Sequence, residues 1–180
     1  MTIDNLMQTL KEKVCVSLDM SSSLFTIPIA EEDRYKTAFW VNEKAFEFCK
    51  LPMSLRISSY HLNTFLEHAF SPSDYEELAQ QLTPSEKEMV PRSFKDFLCN
   101  YFHNKIIFAN NYKTLMVCLK MVLLAARKAK LKYNINKSSF LTTKLKLLGY
   151  NFDTQDVYLT MDKLKACLLY TSPSPRDVEE

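Results

Sequence analysis

Three groups of side chains in this sequence could do chemistry. Asp19 closes the apolar run Val14–Leu18. A carboxylate at a strand end is a hard anionic donor suited to Mg2+, and it is equally an ordinary turn residue. His103 and Asn104 stand between two apolar runs, 97–102 and 105–109, and read as the polar tip of a hairpin. An imidazole there suits softer metals, and the amide offers only a neutral carbonyl. His61 and His68 fall on a different predicted helix, and no acidic cluster lies near His103 in sequence, which favours a solvated turn over a metal site. The third group is the Lys-rich face of residues 113–132, which could meet nucleic-acid phosphates or simply water.

The elements that must position these groups follow from periodicity and breakers. Thr2 can cap a first helix with Ile3, Leu6, Met7 and Leu10 on one face. Val14–Leu18 reads as a buried strand. Phe25–Ile29 and Lys36–Val41 read as strands around the acidic turn 31–33, and Ala45–Cys49 continues a meander. Ser58–Phe70 reads as a helix. Residues 71–91 carry Pro72, Pro84 and Pro91 and two capping-box patterns, Ser73-x-x-Glu76 and Thr83-x-x-Glu86, which predict two short surface helices. Runs 97–102 and 105–109 form a hairpin. Tyr112–Lys130 is the longest helix, and 145–152 with 157–160 a last hairpin.

Bulk numbers exclude several classes. Hydrophobic residues are 47% and charged residues 24%, an ordinary globular balance that argues against disorder. The net charge of +2 permits nucleic-acid binding without arguing for it. The five cysteines show no CxxC or metal-type spacing and read as reduced, mostly buried thiols in an intracellular, cytoplasmic chain. The longest apolar stretch, 115–126, is broken by Lys120 and too short to span a bilayer, and no signal peptide is visible, so neither membrane insertion nor secretion is expected. A single glycine is out of keeping with several hairpins; average usage would give roughly a dozen.

An ordered series of segments resembles one family. Ile3-Asp4-Asn5-Leu6 is similar to the IDDL before the first catalytic strand of gypsy-type reverse transcriptases. Leu18-Asp19-Met20 with Phe25-Thr26-Ile27-Pro28-Ile29-Ala30-Glu31-Glu32-Asp33-Arg34-Tyr35-Lys36-Thr37-Ala38-Phe39 resembles their LD and IPLxEEDRxKTAF stretch. Phe48–Leu55 resembles FxxMPFGL, and Tyr101-Phe102-His103-Asn104 falls where the family has YxDD. Leu131–Phe140 resembles LKLNxxKCxF, and Leu147-Leu148-Gly149 the FLG of the primer grip. The resemblance covers residues 2–166, interrupted by a longer segment at 71–91. It implies an α+β fold: a reverse-transcriptase palm, an antiparallel sheet with helices on one face, plus partial fingers. It further implies that residues 1–166 are a partial domain, with a helical insertion at about 71–91 and without fingertips, thumb or RNase H. Cys167–Asp177 resembles a translated sequencing-library adapter, so 167–180 is expected to be an extended tail foreign to the fold.

The resemblance also implies a site and a defect. Polymerases of this family use two Mg2+ ions held by a strand-end Asp and the two Asp of YxDD. Asp19 matches the first, and His103 and Asn104 stand where the pair should be. One carboxylate cannot offset two dications about 4 Å apart, so stable Mg2+ binding and catalysis are not expected. Leu24 occupies the aromatic position facing the sugar, Pro52 is kept, and Ser54 replaces the Gly of FGL; these are the implied nucleotide-binding positions. Leu147, Leu148 and Gly149 are the implied primer grip. Ser23, Lys44 and Lys130 stand for other family glycines. The implied partners are an RNA template and DNA primer, in a polyprotein context. The function expected is an inactive retroelement RNA-directed DNA polymerase fragment; the alternatives are a non-enzymatic binder of nucleic acid or of a polymerase subunit, and an unselected relic.

Overall fold

The computed structural model describes residues 3–53, 55–101, 104–143, 145–147, 150–152, 157–161 and 164–165. The expectations for Thr2, Ser54, His103, Leu148, Gly149 and the tail 167–180 lie outside these residues. Helix α1 (Ile3–Leu10) leads into strand β1 (Val14–Met20). A long excursion follows, with β2 (Phe39–Val41) and β3 (Lys44–Phe46), before α2 (Ser58–Ala69). Then come α3 (Pro72–Ala79), α4 (Pro84–Met89), the hairpin β4 (Leu98–Tyr101) and β5 (Asn104–Ala109), and α5 (Tyr112–Lys128). Strand β6 (Tyr133–Thr142) closes the main sheet; β7 (Leu145–Leu147), β8 (Tyr150–Phe152) and β9 (Val157–Leu159) form a small antiparallel sheet.

The main sheet has the order β4-β5-β1-β6, with every pair antiparallel. Alternation along β1 and β5 sends Val16, Leu18, Ile107 and Ala109 to the face under the helices. There they meet Leu115, Cys118, Met121, Val122 and Ala125 from α5. Each large apolar side chain buried this way contributes about 1.5–3 kcal/mol. The α+β architecture, with helices packed on one face of the sheet, is the expected one. Helix α5 starts at Asn111, whose side chain accepts the Thr114 N–H at 2.9 Å. It ends with Lys130 at φ 56 and the Leu131 N–H returning to the Ala126 carbonyl at 2.9 Å, a turn that favours glycine.

Several local expectations are corrected. Phe25–Ile29 is not a strand: Ser23–Thr26 is a 3-10 helix, and only Pro28 bridges onward, to Lys50. Glu31–Thr37 is a second 3-10 helix, leaving a two-stranded hairpin where a meander is expected. Proline's missing donor at position 28 and, among the described residues, the lack of a neighbouring strand explain the first difference. Lys44 is not in the hairpin turn; Asn42 and Glu43 hold the positive φ values, 46 and 64, and Lys44 opens β3. The other left-handed position near the site is Ser22 (φ 50), one residue before Ser23.

The 71–91 segment does form two helices, and Thr83 with Glu86 makes the expected capping box. The first cap is Ser71, bonded to the Asp74 N–H, and not Ser73. The pair is more than a surface addition, because Tyr75, Leu78 and Leu82 are buried in the core against α5.

Candidate functional site

Asp19 sits near the C-terminal end of β1, the strand flanked by β5 and β6. Its cross-strand partner on β5 is Asn104, and on β6 it is Asn134. Direct cross-strand partners lie about 5 Å apart at Cα. The two chain segments that the sequence reading assigns to one centre, around 19 and around 104, are therefore neighbours. The one carboxylate lies between two neutral amide residues.

The backbone at Asp19 is fixed by an irregularity in β6. Ser17 pairs with Ser139, yet Asp19 pairs with Asn134, so residues 135–138 bulge out of the ladder. Ser138 fills the gap: its hydroxyl accepts the Asp19 N–H at 3.1 Å and donates to the Asn134 carbonyl at 2.7 Å. The bulge also carries Lys137 to the rim of a cavity of about 570 Å³ that opens beside Asp19. Leu24 lines this cavity, together with Ser21, Ser22 and Met53. Pro52 is buried and does not line it; its carbonyl accepts the Ser58 hydroxyl at 2.9 Å. Ser54 falls between two lining residues, Met53 and Leu55, and is itself outside the described set. Leu147 ends β7 in the small sheet, with Tyr150 as its partner.

Lys137, Asn134 and Ser138 receive no role from the sequence reading. Their segment is quoted there only for its likeness, and the signal that could have found them is its run of Asn, Lys and Ser beyond Tyr133. Such a run breaks β alternation and marks a bulge.

Among the described residues no three His, Cys, Asp or Glu side chains converge. At the centre itself Asp19 is the carboxylate, and Asn104 and Asn134 can offer only neutral oxygens. Mg2+ prefers several anionic or water oxygens in octahedral array, which this set does not supply.

Two lysines of the basic face of α5 are ion-paired. Lys120 reaches Glu86 at 2.7 Å, and Lys128 reaches Asp74 at 2.6 Å and Glu77 at 2.5 Å. The Lys128 ammonium, helped by the Ser71 hydroxyl, holds Asp74 below the usual carboxylate range. Lys120, with the Thr83 backbone, does the same for Glu86. Acidic residues of α3 and α4 thus neutralise lysines that could otherwise meet phosphates.

One buried group is unexpected. Lys105, next to Asn104, is fully buried on the helix-covered face, with its Nζ 4.3 Å from the Phe70 ring centre and bonded to the Asn100 side chain. Burial pushes this ammonium down to about 7, and among the described residues no carboxylate pairs with it.

Residues 1–152 match the family described as "Reverse transcriptase (RNA-dependent DNA polymerase)". The chain is 27% identical over 169 residues to the "Retrovirus-related Pol polyprotein from transposon opus" of Drosophila melanogaster, covering 93% of this chain and 15% of that protein. It is 26% identical over 164 residues to the corresponding polyprotein from transposon gypsy of the same organism, covering 91% and 14%. The chain therefore spans about a seventh of the length of these relatives. Among solved structures, its fold is similar to the foamy viral protease-reverse transcriptase in complex with RNA/DNA hybrid, with a TM-score of 0.67 at 17% identity, covering 89% of this chain and 19% of the other. The same viral protein in complex with dsDNA gives 0.68 at 16% identity, covering 89% and 29%. No helix among the described residues is long and apolar enough to cross a membrane.

Proposed function

Since the chain belongs to the reverse transcriptase family, we propose that it is a retroelement polymerase palm that has kept its fold and lost its catalysis. The observation that carries this reading is the register: the residue opposite Asp19 is Asn104, an amide where two-metal phosphoryl transfer needs a carboxylate. Residues 1–166 are read as the polymerase-derived part, within what was a Pol polyprotein. By descent the cavity beside Asp19 faced an incoming nucleotide, with Leu24 against the sugar and Pro52 and Ser54 in the loop opposite. Leu147, Leu148 and Gly149 faced the primer end, and the partners were a template RNA and a DNA primer. His103 and Asn104 mark the lost carboxylate pair.

The test is metal affinity alongside primer extension. The chain is expected not to extend a primer on an RNA template with Mg2+ or Mn2+. Replacing His103→Asp and Asn104→Asp together should tighten Mn2+ binding in calorimetry at least tenfold, since it adds two anionic ligands beside Asp19. Equal affinity in both forms would sink the site assignment, and extension by the unaltered chain would sink the claim of inactivity.

A second reading, a non-enzymatic contact with an intact polymerase subunit, is favoured by one feature. The excursion carrying β2 and β3 exposes Trp40, Tyr35 and Phe46. Large exposed aromatics suit a protein interface. Co-sedimentation with an intact gypsy-type polymerase tests this reading, and loss of binding in Trp40→Ala is the expected signature.

A further inference from the structure

The excursion between Pro28 and Lys50 joins the palm through a narrow neck. Pro28 bridges Lys50, the Ile29 N–H donates to the Cys49 carbonyl at 3.1 Å, and the Leu51 N–H to the Ile27 carbonyl at 2.9 Å. A second cavity, of about 420 Å³, lies in the crook where this arm leaves the palm. Ala30, Asp33, Lys36 and Thr37 line it from the arm, and Leu51, Leu55, Arg56, Ile57 and His61 from the other side. It shares only Leu55 with the cavity beside Asp19.

We propose that this crook is a ligand site for a small organic anion, with an apolar body against Ile27, Leu51, Leu55 and Ile57 and an anionic head at Arg56 and His61. Three observations support it. The volume falls in the range of small-molecule pockets, roughly 300–1,000 Å³. The lining is mainly apolar, unlike the serine-rich cavity beside Asp19. Its polar side chains are unevenly used: Asp33 holds Lys36, whereas among the described residues neither Arg56 nor His61 pairs with a carboxylate. A planar guanidinium beside an apolar floor matches a carboxylate, sulfonate or phosphate carried on a hydrophobic group. The wall behind is stiffened by Arg34, whose Nε–H donates to the Ile29 carbonyl at 3.4 Å. Because the lining comes from both sides of the neck, an occupant would hold the arm to the palm. This inference stands apart from the polymerase reading, since neither Asp19 nor Asn104 takes part.

The experiment uses 1-anilinonaphthalene-8-sulfonate, an aromatic sulfonate, titrated fluorimetrically into the full chain at pH 7. Saturable binding of one probe per chain is expected. It should weaken at least tenfold in Arg56→Gln/His61→Gln and stay unchanged in Lys137→Gln, which alters the other cavity. Both variants change exposed residues and should melt with the parent; thermal unfolding checks this. Amide exchange over residues 30–49 should slow when the probe is bound. Displacement by octanoate assigns an aliphatic carboxylate, displacement by adenosine monophosphate a nucleotide, and displacement by both the shared chemistry. Undiminished binding in the double variant, loss in Lys137→Gln instead, or resistance to both competitors would overturn the proposal.

Discussion

The palm under α5 and the arm beyond the neck draw on the same kinds of residue and pack them in opposite ways. Under α5, Leu115, Met121 and Val122 are fully buried. In the arm, no residue from 30 to 49 is buried, and Trp40 and Tyr35 are 75% and 65% exposed. Apolar content therefore does not decide packing here; the number of layers does. The palm stacks helices on a four-stranded sheet, whereas β2 and β3 are an isolated pair, a unit that is marginal alone in water. The contact of Phe39 with Phe46 and Phe48 gives the arm local shape without a core.

The largest expected effect sets the two regions directly against each other. Leu78→Ala should lower stability in urea unfolding by about 2–5 kcal/mol, because it opens a cavity between α3 and α5. Trp40→Ala should change it by less than about 0.5 kcal/mol. Equal effects would mean that the arm is part of the cooperative core and the contrast false.

A smaller effect probes the flaw inside the palm. Lys105→Met should stabilise the chain at pH 7 by about 2–3 kcal/mol, since a buried amine with no anionic partner among the described residues is replaced by an apolar side chain of similar length. The sign with pH is fixed. The unfolded lysine binds its proton up to about 10.5 and the folded one only up to about 7, so stability rises with pH across that window. The difference between Lys105 and Met should be greatest below pH 7 and shrink towards pH 10.5 in paired melts. A difference that does not vary with pH would show that Lys105 is not buried as described.

The smallest effects compare one turn in each region. Lys130→Gly after α5 relieves a left-handed residue and should raise the global melting free energy by about 1 kcal/mol. Glu43→Gly relieves the same kind of strain in the arm. It should slow local amide exchange around 39–46 while leaving the global melt in place. A rise in the global melt would again join the arm to the core.

The same contrast explains what the sequence reveals. Strand β1, helices α2 and α5 and the β4–β5 hairpin are legible because each buries one periodic face and is bounded by a cap or turn. The stretch from 23 to 37 misleads: Phe25-Thr26-Ile27 alternates like a strand, but among the described residues no neighbouring strand pairs it, and sequence carries no record of missing neighbours. Residues 71–91 are read as surface because Pro and Glu dominate; Tyr75, Leu78 and Leu82 carry the signal of burial, spaced for one helix face but split between α3 and the turn after it. At the site, the adjacency of Asp19 and Asn104 follows from family likeness and not from local pattern. Ser138, Asn134 and Lys137 become legible only from the slipped register of β6.

The hydrogen-bonded neck has an evolutionary consequence. Where a chain leaves a domain and re-enters it at adjacent points, the segment between can lengthen, shorten or drift without changing the closure the rest of the fold requires. Residues 30–48 are such a segment. Substitutions and length changes can accumulate in this appendage while the sheet beneath keeps its register, so the two parts of one chain can record different histories.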